Sequence, residues 1–205
     1  MNQKNHWEKV YQNKRPDEVS WYQSRPDLSL ALIANLSLPQ DAKIIDIGGG
    51  ASTLVDHLLD EGFLGVSVLD ISGRALTVAK ERLGKRAAEV TWLAGDITSM
   101  KLPDRAYDLW HDRAVFHFLT RAEDRKKYIQ NLNRSLKPDG TVIIATFSLK
   151  GPERCSGLNV VRYSPEALQA ELGESFQLIK HLEEIHQTPF GTRQAFVYCV
   201  FKRIK

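Results

Sequence analysis

Lys43-Ile44-Ile45-Asp46-Ile47-Gly48-Gly49-Gly50-Ala51-Ser52-Thr53 decides how the rest of the chain is read. A short apolar run carries an acid, turns on three consecutive glycines and opens into a helical pattern. Glycine serves where backbone must adopt positive φ or lie bare against a ligand. A turn of this kind between strand and helix aims the helix's free N–H groups at whatever occupies it. One strand-and-helix later, Val66-Ser67-Val68-Leu69-Asp70 repeats the form. In a doubly wound sheet an acid ending the second strand accepts hydrogen bonds from a ribose diol. The residues by themselves describe a nucleoside-binding α/β domain.

What surrounds the glycines narrows the nucleoside. A dinucleotide fingerprint G-x-G-x-x-G needs its third glycine at position 53, where the chain has Thr53. Asp46-x-Gly48-x-Gly50 instead resembles the first motif of the class I S-adenosylmethionine-dependent methyltransferases. The resemblance implies that Gly48, Gly49 and Gly50 lie along the methionine part of S-adenosylmethionine, with Asp46 at the turn and Asp70 on the ribose. Ser52 departs from the pattern, because family members often carry glycine there.

Downstream, the rhythm of strand, turn and helix repeats, which argues for a parallel sheet covered on both faces. Strands are expected at 43–47, 65–69, 90–97, 106–113 and 141–147, with helices at 52–61, 72–83 and 123–136. Leu54, Val55, Leu58 and Leu59 form the inward stripe of the first of these helices. Lys137-Pro138-Asp139-Gly140 reads as a turn in which Asp139 replaces a glycine of the family's L-K-P-G-G pattern. Residues 148–161 lack periodicity and read as a loop over the carboxyl end of the sheet, which is where substrates are met. Ser164-Pro165-Glu166 opens a helix, with Ser164 as cap and Pro165 at the first position. Segments 176–186 and 194–202 resemble the closing antiparallel hairpin of these methyltransferases. The fold expectation is an α/β, Rossmann-like, doubly wound and mostly parallel sheet with a C-terminal antiparallel hairpin. It forms a single domain over 1–205, in which 1–40 is an N-terminal helical arm and 41–205 the cofactor-binding core.

The arm holds three large aromatics, Trp7, Trp21 and Tyr22, in polar surroundings. They either staple the arm to the domain or close over cofactor and substrate. His6-Trp7-Glu8-Lys9-Val10-Tyr11 fits the W-x-x-x-Y pattern of a helical lid seen in many members of the family, which favours the second role. Asp96, after the third strand, is a turn residue on general grounds. The resemblance instead assigns it to the adenine amino group, with Ile71 and Ile97 flanking the base.

Ligands in open α/β sheets bind beyond the carboxyl ends of the strands. That places His111, Asp112 and Arg113, at the end of the fourth strand, as the candidates for chemistry, with His111 also against the cofactor. The alternative is that Asp112 and Arg113 pair with one another. His117 falls beside the same rim or on a helix flank. A histidine in an apolar stretch is more often structural than catalytic. The segment 111–119 looks like the D-[K/R]-[G/A] turn of a subgroup that includes several protein-lysine methyltransferases.

Composition sets the outer bounds. The 205 residues are 42% hydrophobic, enough for one proper core. A formal charge of +3 gives no electrostatic case for nucleic acid. Two cysteines form no disulfide framework or metal spacing, so no metal is expected and a cytoplasmic setting is. The start, from Met1 to Trp7, has no signal-peptide core, and no apolar run approaches a membrane span. The expected activity is methyl transfer from S-adenosylmethionine to a small molecule or a protein side chain, including lysine. The alternatives are a non-catalytic binding module acting through a partner and, disfavoured by Thr53, an NAD-dependent oxidoreductase.

Overall fold

The computed structural model describes residues 3–205. Met1 and Asn2, part of the stretch read as lacking a signal segment, lie outside the described residues. No helix among the described residues is long and apolar enough to cross a membrane.

Helices α1 (Gln3–Asn13) and α2 (Asp27–Ala34) precede the sheet. Then β1 (Lys43–Ile47), α3 (Leu54–Asp60), β2 (Gly65–Asp70), α4 (Gly73–Leu83), β3 (Thr91–Ala94) and β4 (Tyr107–Arg113) alternate. They are followed by α5 (Ala122–Ser135), β5 (Leu136–Phe147), the two-residue strands β6 (Arg154–Cys155) and β7 (Leu158–Asn159), and α6 (Pro165–Leu172). β8 (Phe176–Gln187) and β9 (Arg193–Arg203) close the chain. The seven-stranded sheet runs β3-β2-β1-β4-β5-β9-β8. Its first five strands are parallel, and β9 runs antiparallel to both of its neighbours, β5 and β8. Strand order reverses between β1 and β4, which opens a crevice at their carboxyl ends.

Alternation along the strands feeds two apolar layers. Ile44, Val68, Leu109 and Ile143 pack with α2, α3 and α4 on one face. Ile45, Ile47, Trp110 and Ile144 pack with α5 and α6 on the other. Ser164 caps α6 by accepting from the Ala167 N–H at 3.2 Å, with Pro165 at the first position as the sequence requires.

Two segments differ from expectation. The turn at 137–140 lies inside β5, because Leu136 already pairs with Tyr107 before the register shifts. Asp139 absorbs the shift at φ 57°, a conformation that aspartate tolerates better than most residues. The loop 148–161 contains the β6–β7 hairpin, whose strands are too short to leave a periodic signal.

Candidate active site

The glycine turn is fixed first by backbone. Gly48 and Gly49 donate their N–H groups to Leu69 O at 2.6 and 3.2 Å, tying β1 to the end of β2. Gly48 holds φ 69°, and a Cβ on Gly50 would stand 2.6 Å from Asp70 Oδ2. Only bare backbone passes this closely beside the carboxylate.

Two adjoining cavities open over the carboxyl ends of the strands. The larger encloses about 840 Å³, open solvent at its mouth included. One end is lined by Asp70, Ile71, Asp96, Ile97 and Leu119, the other by Phe147, Cys155, Gln194 and Phe196. Trp7, Tyr11 and Trp21 roof it. The second, about 560 Å³, reaches Asp46, Gly49, Ser52, Tyr22 and His111, and shares Tyr11, Trp21, Gly48 and Arg113 with the first.

Asp70 accepts the Ser72 N–H on Oδ1 at 2.8 Å, which leaves Oδ2 for a ligand. Burial, reinforced by the Asp46 and Glu8 carboxylates, pushes its carboxyl up to about 7. Asp96 does what a turn acid does, accepting the Thr98 N–H and hydroxyl on Oδ1, both at 2.8 Å. It lines the larger cavity as well. Asp70, Asp96, Ile71 and Ile97 are thus brought together, and Gly48 joins them.

The arm reaches this cavity. Trp7 packs edge-on against Trp21 at 5.5 Å and Phe118 at 5.1 Å. Glu8 accepts the Gly73 N–H at 2.8 Å at the start of α4. Tyr22 lines the second cavity and not the larger one.

The three consecutive residues of β4 part company. His111 places Nδ1 2.7 Å from Asp46 Oδ1 and Nε2 3.0 Å from Ser29 Oγ, so both ring nitrogens are engaged beneath the turn. It touches the second cavity, but it is not a free group at a reaction rim. Asp112 points to the opposite face, fully buried, and accepts from the Tyr128 hydroxyl at 2.6 Å and the Val115 N–H at 2.9 Å. Burial pushes its carboxyl up to about 6, against the pull of those donors. It lines neither of these cavities and does not pair with Arg113, which corrects the rim position expected of it. His117 needs the same correction. It is fully buried, takes the Phe147 N–H on Nδ1 at 3.2 Å, and is pushed down to about 3 by burial and the charge of Arg113. It stays neutral below the cavity and does not face an acceptor.

Arg113 does line both cavities. Its Nε donates to Tyr198 Oη at 2.9 Å and its Nη1 to Trp21 O at 3.0 Å, and the guanidinium lies 4.8 Å over the Phe196 ring. Its buried Nη2 has no hydrogen-bond partner. Tyr11, Phe196 and Gln194 are lining residues that sequence reasoning did not single out. Tyr11 ends the W-x-x-x-Y pattern, and Gln194 is a polar residue entering an apolar strand, so both left a usable signal.

Residues 45–144 match a family model described as a methyltransferase domain. The eEF1A lysine and N-terminal methyltransferase of Bos taurus is 27% identical over 138 residues, which cover 67% of this chain and 19% of that protein. The chain therefore spans about a fifth of the length of that relative. The structure solved for conversion of a disulfide bond into a thioacetal group in echinomycin biosynthesis superposes with a TM-score of 0.80 at 16% identity, covering 98% of this chain and 93% of that one. The N-methyltransferase NodS of Bradyrhizobium japonicum, in complex with S-adenosylhomocysteine, gives a TM-score of 0.72 at 17% identity over 97% and 98% of the two chains. Fold and turn define a Rossmann-like domain. Over residues 45–144, just under half of the chain, the similarity is to a methyltransferase domain, and the chain shares its fold with solved S-adenosylmethionine-dependent methyltransferases.

Proposed function

We propose that this chain catalyses transfer of the methyl group of S-adenosylmethionine to a nucleophile bound at the Phe147–Phe196 end of the larger cavity. The observation that carries the reading is the pairing of Gly50 with Asp70. A bare backbone position stands beside a carboxylate oxygen that has no protein donor, which suits a ribose diol. When bound, the cofactor supplies an electrophilic methyl group on a sulfonium sulfur.

The protein's part is alignment and exclusion of water. Asp70 accepts from the ribose hydroxyls, and the unused oxygen of Asp96 takes the adenine amino group between Ile71 and Ile97. Gly48, Gly49 and Gly50 leave room for the methionine part, whose ammonium group is met by Asp46 in the second cavity. Residues 3–40 act as a lid on the core, with Trp7, Tyr11 and Trp21 shielding the reacting atoms. The relatives named for lysine methylation favour a protein acceptor, whereas the aromatic roof favours a small molecule. Both cysteines are unpaired, which supports a reducing, cytoplasmic setting. Asp70→Ala tests the reading: S-adenosylhomocysteine affinity should fall at least about a hundredfold, the scale of two lost hydrogen bonds. Unchanged affinity would remove the basis of the proposal.

A further inference from the structure

The cavity is longer than a nucleoside requires, and its two ends differ in chemistry. Asp70 ends β2 and Phe147 ends β5, three strand positions apart, which at about 4.8 Å per strand is roughly 14 Å. The carboxylates lining the cavity, Asp70 and Asp96, both stand at the first end. At the far end Arg113 is the only charged side chain among the described lining residues. Cys155 adds no charge there, since burial pushes its thiol up to about 11.

Two side chains lining this end each hold a buried polar atom without a protein hydrogen bond. Gln194 is 9% exposed and its Oε1 accepts no hydrogen bond. Arg113 Nη2 is buried and donates none, with Glu184 Oε2 3.9 Å away and occupied by the Tyr198 hydroxyl at 3.1 Å. Gln194 and Phe196 are alternate residues of β9 and share a face, and Arg113 stacks on Phe196. A buried amide and a buried guanidinium N–H, set around aromatic rings, are costly unless a ligand completes them.

We infer that Gln194, Arg113 and the Phe147–Phe196 pair form the acceptor subsite, and that it takes a weakly acidic X–H nucleophile on a small apolar body, X being thiol sulfur or phenolic oxygen. This rests on the methyltransferase reading. An aliphatic amine, with a pKa of about 10.4, arrives protonated; no carboxylate lines this end of the cavity to receive its proton, and Glu184 behind it is engaged by Arg113, Tyr198 and Gln23. A thiol or phenol has the opposite sign. Its anion pairs with Arg113 Nη2, and its X–H, before ionisation, donates to Gln194 Oε1. The reaction balances as X–H plus sulfonium giving X–CH3, a thioether and a proton. The carbon–sulfur electron pair stays on the departing sulfur, and the proton leaves to water.

The test is a titration of protein saturated with S-adenosylhomocysteine, using para-thiocresol, para-cresol and n-butylamine as probes. The thiol or the phenol should bind, which also identifies X, and n-butylamine should not. Gln194→Met keeps the size of the side chain and should weaken that binding at least about tenfold, leaving S-adenosylhomocysteine affinity within about twofold. Gln194→Glu should abolish binding of the X–H probes and admit n-butylamine. Tighter binding of n-butylamine to the unmodified protein, indifference of all probes to Gln194→Met, or no probe binding to the saturated protein would each overturn the inference. Failure of S-adenosylhomocysteine itself to bind would instead remove the methyltransferase reading beneath it.

Discussion

His111 and Asp46 are register partners across the β1–β4 ladder, and His111 Nδ1 stands 2.7 Å from Asp46 Oδ1. Ser29 Oγ holds the other ring nitrogen at 3.0 Å, so one imidazole joins α2, β4 and β1 beneath the glycine turn. The group that sequence position suggests for chemistry is a strut. Under the proposed function, its effect on the cofactor is exerted through Asp46 and the turn above it.

Replacing His111 by Ala should therefore act on stability first. It leaves a buried carboxylate without its partner, a loss of roughly 3 kcal/mol. For a chain of this length that corresponds to a fall of roughly 6–12 °C in thermal midpoint. Thermal denaturation of the purified variant reads it directly. A variant as stable as the parent, with turnover alone reduced, would restore a chemical role to the imidazole.

Asp70 should make cofactor binding pH-dependent. Burial raises its folded-state pKa to about 7, above the ordinary carboxylate value. Below that point the protonated carboxyl loses acceptor capacity, so affinity for S-adenosylhomocysteine should fall up to about tenfold per pH unit. Stability of the unliganded protein runs the other way. The native chain retains a proton that the unfolded chain has shed between about 4 and 7, so this residue's contribution is lost as pH rises through that window. Asp70→Asn should abolish binding, flatten both profiles and raise the thermal midpoint above pH 7. Calorimetry across pH and parallel melting curves check the pair, and a pH-independent affinity in the unmodified protein would contradict it.

Asp112→Ala should destabilise without a specific defect in cofactor binding. It strands the Tyr128 hydroxyl and the Val115 N–H, with the Phe116 N–H at 3.2 Å also losing its acceptor. The cost is roughly 3 kcal/mol. Urea denaturation should show an earlier midpoint at unchanged slope. A normal midpoint would mean that these bonds carry no net stability.

Glu8→Ala should loosen the arm. The Gly73 N–H loses its acceptor at 2.8 Å, and the start of α4 loses a favourable charge of about 0.3–1 kcal/mol. Trypsin should cut faster at Lys9 or Lys14, and S-adenosylhomocysteine should protect less. Equal cleavage rates in parent and variant would show that the latch does not hold the arm.

Much of the architecture was legible because the signals were local and periodic. The glycine turn, the acids at the ends of β1 and β2, the Ser164 cap and the closing hairpin each follow from a few adjacent residues. The rim was not legible in the same way. His111, Asp112 and Arg113 are contiguous in sequence, but strand alternation sends Asp112 to the α5 face and its neighbours to the arm side. Which face meets the cavity depends on helices distant in sequence. The unpartnered amide of Gln194 is likewise defined by what the fold fails to place beside it. Asp139 shows the reverse case, since a departure from a family glycine was visible and the backbone keeps the conformation regardless.

The central claim is tested most directly by calorimetric titration of ligand-free protein with S-adenosylmethionine, S-adenosylhomocysteine and NAD side by side. Saturable binding of the first two and none of NAD is the expected result. Binding of NAD alone, or of none of the three, would contradict the assignment of the glycine turn and Asp70 to S-adenosylmethionine.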